Sequence, residues 1–115
     1  MRDLSLQAAG LLAILVALVH GAIAELSIFN RARIEPQGTR RLLRLIWQAS
    51  TVDWIALGAL LIVAPALGDS ARQAIVAVAV VAYGYGAIGN AVATRGRHFG
   101  WLLMGTVVAL ALIGL

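Results

Sequence analysis

The residues of this chain with the most chemical potential are a few polar side chains set inside long apolar runs. His20 lies in LVALVHGAIAELSIF, Asp53 in ASTVDWIALG, Tyr85 in VVAYGYGAIG, and Thr106 in WLLMGTVVAL. Glu25, Gln48 and Asn90 occur a few residues nearer to Arg-rich segments. A carboxylate and an imidazole at similar membrane depth have the makings of a proton relay or a cation site. The same two groups also make a polar clamp between helices, because each supplies the hydrogen bond the other needs.

These residues lie at matched distances from the basic end of each run. Counting inward from Phe29, Arg44 and Thr94, the ninth residue is His20, Asp53 and Tyr85 respectively; the eighth from His98 is Thr106. At 1.5 Å per residue each lies roughly 12–14 Å from the boundary, near the midplane of a hydrocarbon core. The count predicts an intramembrane layer of His20, Asp53, Tyr85 and Thr106. It also predicts a second layer of Glu25, Gln48 and Asn90 nearer the basic side. In this reading Asp53 faces the other helices with His20 as its nearest ionisable neighbour, and Trp54 turns outward toward lipid or a partner chain.

The elements that would hold these residues follow from composition. The chain has 115 residues, of which 62% are hydrophobic and 12% charged. A soluble domain carries about 25% charged residues, and a chain this short needs polar surface in water, so lipid is the expected solvent. Four runs approach the roughly 20 apolar residues of a spanning helix: 6–29, 45–66, 74–93 and the shorter 99–115. The ten-residue alternation of an outer-membrane barrel is absent. The predicted fold is all-α: one integral membrane domain over 1–115, an antiparallel up-down-up-down four-helix bundle.

Rows of small residues mark contact faces. Ala9, Ala13, Ala17 and Gly21 recur at steps of four ahead of Glu25, and Ala82 and Gly86 precede Asn90 in the same way. The tetrapeptide YGYG lies in a full-length helical run without the rest of a potassium-filter signature. Ser70 and Gln73 have the spacing of a capping box at the start of span three.

Charge sets the expected orientation. The first connector, 30–44, holds Arg31, Arg33, Arg40, Arg41 and Arg44 against one acid, Glu35; the third holds Arg95 and Arg97. The other side pairs Arg2 with Asp3 and Asp69 with Arg72. The positive-inside rule places the basic connectors in the cytoplasm and both termini outside, in the periplasm of a bacterial inner membrane. These arginines flank apolar runs, so they are read as topology signals facing lipid headgroups rather than as a nucleic-acid footprint. Ala22-Ile23-Ala24 before Glu25 has the form of a signal cleavage site, but the neutral Arg2-Asp3 start argues for retention of the segment.

The absence of Cys excludes disulfides and thiolate sites. No HExxH, GxSxG, Walker loop or zinc cluster is present, so no enzymatic activity, metal or cofactor is expected. His20 and His98 are expected at different depths, a poor arrangement for a bis-His haem.

Length and span number resemble the small multidrug resistance transporters, but their motifs are missing and Glu25 lies near the basic edge, so no transport function carries over. VHGAIAE in span one and TRGRHFGWLL at span four resemble small, uncharacterised bacterial four-span inner-membrane proteins, a likeness that implies membrane residence and no activity. Three functions compete. The first is a self-associating or accessory subunit of a membrane complex, with a homo-oligomer or larger assembly as partner. The second is a proton- or ion-coupled small transporter or channel using Asp53 and His20. The third is a lipid- or quinone-binding protein with a headgroup near Tyr85 and Trp54.

Overall fold

A computed structural model describes the whole chain, Met1–Leu115. It is all-helical, with four helices: α1 (Arg2–Arg31), α2 (Gln37–Ala66), α3 (Asp69–Thr94) and α4 (Gly100–Ile113). The first three are long and apolar enough to cross a membrane; α4 is apolar but has 14 residues.

The helix ends differ from the expected ones where local chemistry extends them. α2 begins at Gln37, not near Leu45, because Pro36 sets extended backbone ahead of it and the Arg- and Leu-rich turn that follows favours helix. Only a short link remains of the first connector, and Arg40 ties its two sides together by donating to the Phe29 carbonyl. α3 begins at Asp69 after Gly68 (φ 84°), so Ser70 lies inside the first turn and makes no capping bond. α3 ends with Arg95 and Gly96 in left-handed backbone (φ 52° and 70°) and the Gly96 amide bonded to the Ala91 carbonyl, a Schellman-type stop.

α1 is the central element. It packs along α2 through the anticipated row of small residues: Ala9, Ala13, Ala17 and Gly21 are all buried. Gly10 meets Gly58 so closely that a Cβ on Gly58 would lie 2.9 Å from the Gly10 carbonyl oxygen. Further along, Gly21 lies against Thr51 and Gln48, and Glu25 reaches Arg44. α3 packs mainly on α4, and α4 in turn lies on α1, its end at Gly114 seated on Leu6.

The core gathers toward the end that carries Met1 and Leu115. Leu6, Leu61, Val76, Ala79, Val107 and Ala111 are buried there, and Arg72 of α3 forms an ion pair with Asp3 of α1. Toward the Arg-rich end α2 and α3 touch sparingly, and the bundle opens into a cleft.

Candidate functional site

The cleft has a volume of about 540 Å³ and is bounded by all four helices. Its α1–α2 wall is aromatic. The His20 ring lies between two indoles, stacked on Trp47 at 4.7 Å (14° between planes) and tilted on Trp54 at 4.7 Å. Trp54 continues to Tyr83 at 5.4 Å, and Phe29 stands edge-on to Trp47 at 5.9 Å. The opposite wall comes from α3, the α3–α4 turn and α4: Gly86, Gly89, Asn90, His98, Phe99 and Met104. The space exists because α3 presents glycines where α2 presents tryptophans. Gly89 has no neighbour within 4 Å of a would-be Cβ, and Gly86 faces the Trp54 ring.

The backbone of α1 is remodelled beside the cleft. Ala24–Ile28 forms a π-turn, a feature that recurs at functional positions. Two side chains of α2 bond carbonyls just ahead of it: Trp47 Nε1 donates to the His20 carbonyl (3.2 Å) and Gln48 Nε2 to the Gly21 carbonyl (3.2 Å). Glu25, inside the π-turn, accepts from Gln48 Nε2 (2.8 Å) and from both Nε (2.9 Å) and a terminal nitrogen of Arg44. The Glu25–Arg44 ion pair is partly exposed.

The structure does not assemble the expected midplane layer. Asp53 faces outward and has no side-chain partner, while Trp54 is the residue turned into the bundle. His20 meets Ser50 instead, with Nε2 3.1 Å from its hydroxyl. Tyr85 is 82% exposed, at the margin of the cleft, and Tyr83 two residues earlier is the buried one, donating its hydroxyl to the Trp54 carbonyl at 2.9 Å. Thr106 is exposed and satisfies itself on the Leu102 carbonyl of its own helix (2.9 Å).

The physical reason is angular. A depth count follows the rise of a helix and ignores its rotation. Thr51 and Gly58 both face α1, and seven residues bring a helix back to within about 20° of the same direction. Asp53 is two residues from Thr51, hence about 160° away from that face.

The second layer divides. Glu25 and Gln48 are hydrogen-bonded to one another, but Asn90 serves the α3–α4 turn. Its Oδ1 accepts from the Trp101 amide (3.1 Å), and its Nδ2 approaches His98 Nδ1 (3.4 Å). Arg31, Arg33, Arg41, Arg95 and Arg97 are exposed around this end, with Arg40 and Arg44 engaged as described. Trp47 and His98 line the cleft although the depth pattern does not single them out, and Ser50, which holds His20, lies three residues from Trp47 on one face of α2, a spacing that marks the two as a pair.

No cluster of three His, Asp or Glu side chains is placed to hold a metal ion. No protein-family model, curated protein or solved structure matches the chain.

Proposed function

We propose that this protein is a small integral protein of the bacterial cytoplasmic membrane that works as a self-associating subunit, with the outward face of α2 as its contact surface. The observation that carries this reading is Asp53. It lies in the interior of a 30-residue apolar helix, points away from the other helices and has no partner. A carboxylate facing lipid at that depth costs about 2.5–3.5 kcal/mol on insertion scales, a cost that contact with a hydrogen-bond donor offsets. Ala49 and Ala56 lie beside it on the exposed side, small enough for another helix to approach closely between Ile46 and Leu60.

The donor is available on the chain itself. The Tyr85 hydroxyl is exposed and unbonded. It stands at the level of Asp53, since Tyr83 bonds the Trp54 carbonyl and Gly86 faces the Trp54 ring. In a twofold dimer, Asp53 of each copy accepts from Tyr85 of the other, giving two equivalent contacts as a closed symmetric interface requires. The depth match read from the sequence then belongs to the interface between copies.

The helix pairings support an antiparallel up-down-up-down bundle. The basic connectors, flanked by Trp47 and Trp101, support placing that end in the cytoplasm and both termini in the periplasm. The carrier reading built on a His20–Asp53 pair has lost its geometry, since the two residues are not joined.

Single-molecule photobleaching in liposomes at graded protein density tests the reading. The wild type should dimerise. Asp53→Leu and Tyr85→Phe should each weaken the dimer, and the double variant should be no weaker than the worse single one. A wild type that remains monomeric at every density overturns the reading.

A further inference from the structure

Two imidazoles line the cleft, and the hydrogen bonds around them fix which nitrogen of each neutral ring carries the proton. Ser50 Oγ lies 2.7 Å from the Trp47 carbonyl and donates to it, because a carbonyl only accepts. That uses the single hydroxyl proton. The 3.1 Å contact between Ser50 Oγ and His20 Nε2 is then an N–H donated by the ring. Neutral His20 therefore keeps its lone pair on Nδ1, and no protein group meets that atom.

His98 is the mirror case. The Gly100 amide donates to His98 Nδ1 at 3.1 Å, and an amide N–H cannot accept. The Nδ1 lone pair is engaged, so the ring proton resides on Nε2, where no protein group accepts it. Neither free position is sealed inside the protein, since Arg72 Nε is the one buried side-chain polar atom without a partner. His20, on α1, with its free acceptor, and His98, at the α3–α4 turn, with its free donor, line the same cavity.

We propose that the cleft binds the headgroup of a membrane quinol: a planar ring with a hydroxyl at each of two opposite edges and an apolar tail. One hydroxyl donates to His20 Nδ1. The other accepts from His98 Nε2–H. The ring lies among the aromatic side chains of the α1–α2 wall, where planar π-systems are favoured. A volume of about 540 Å³ fits a small-molecule headgroup.

The donor–acceptor pair selects among membrane amphiphiles. A phospholipid phosphate offers only acceptors and would leave His20 Nδ1 unmatched; no Arg lines the cavity to receive its charge. A sterol has one hydroxyl and cannot serve both walls. The oxidised quinone has two carbonyls, so it satisfies His98 and sets an acceptor against the His20 lone pair. Bis-histidine haem ligation is disfavoured by the same bonds: the lone pair that neutral His98 would give to iron is held by the Gly100 amide. The site therefore discriminates by redox state, holding the reduced form about tenfold more tightly, the consequence of one buried acceptor left unpaired.

The test is calorimetric titration of the purified protein in nanodiscs with a decyl-substituted benzoquinol, under reductant, and with the corresponding benzoquinone. Saturable binding is expected, with the quinol about tenfold tighter. His20→Phe keeps an aromatic ring in place and removes Nδ1; it should weaken quinol binding about tenfold and abolish the preference. Gly89→Leu fills the cleft without touching either imidazole and should weaken both forms alike, with its melting temperature confirming that it folds. Equal affinity of the wild type for the two redox forms overturns the proposal, as does unchanged binding in Gly89→Leu. The proposal is independent of dimer formation: photobleaching of His20→Phe reports self-association separately, so the two readings fail separately.

Discussion

The two ends of this bundle are built from the same four helices by opposite means. At the terminal end, small residues bring backbones together: Ala9, Gly10 and Ala13 of α1 meet α2 around Gly58, and Ala64, Ala79 and Ala111 join them in the core. At the basic end, Trp47, Trp54, His20 and Phe99 stand between helices, and Gly89 of α3 leaves space beside them rather than closing it. In lipid there is no hydrophobic gain in joining helices, so close van der Waals contact and hydrogen bonds must provide cohesion. The terminal end has the first. The basic end relies on the second, with Trp47 and Gln48 of α2 donating to α1 carbonyls and Ser50 bonded to the His20 ring. Stability is concentrated at one end and chemical potential at the other.

Substitutions can break or sharpen that contrast. The largest effect is expected for Gly10→Val, which forces atoms into the Gly58 backbone and should destabilise the protein by about 1–3 kcal/mol, measured by steric trapping in bicelles. Tyr83→Phe removes one buried donor from the junction of the two ends, and should cost about 0.6 kcal/mol in the same assay, the usual size of an interhelical hydrogen bond in a bilayer. Gly89→Ala adds a methyl group to open space in a helix and should leave stability unchanged or raise it by up to about 1 kcal/mol. A loss there as large as that for Gly10→Val would show that the two ends do not differ. Arg44→Gln should have the smallest effect, because its ion pair with Glu25 is exposed and Gln48 still bonds the carboxylate.

Much of this architecture is legible in the sequence. Apolar run length locates the helices, and the four-residue row from Ala9 to Gly21 identifies the face of α1 that is buried. Gly38, though a breaker by type, lies inside α2, since a single glycine lowers helix propensity without ending a helix supported by its neighbours. The candidate site was harder to read. Placing Asp53 inside followed from the cost of a charge in lipid, which holds only when the chain is alone. The row Thr51–Gly58 carried the contrary angular information. The cleft itself is not periodic: it arises from tryptophans on one helix facing glycines on another, and no single-helix pattern encodes that pairing. Asn90 and His98 show the same limit, since their roles depend on a left-handed turn at Arg95 and Gly96 that brings them together.

The brevity of α4 has a mechanical consequence. Its 14 residues rise about 21 Å, against a hydrocarbon core of about 30 Å. Its final turn reaches Leu6, close to the start of α1, and tilting would only shorten its reach along a bilayer normal. In a bilayer, lipids along that flank would compress while those along α1 and α2 need not. Inserted as proposed, the protein would carry an asymmetry of hydrophobic mismatch, costing a fraction of a kcal/mol per Å, that favours thinner patches of membrane. Acyl-chain length would then bear on one side of this small bundle more than on the other.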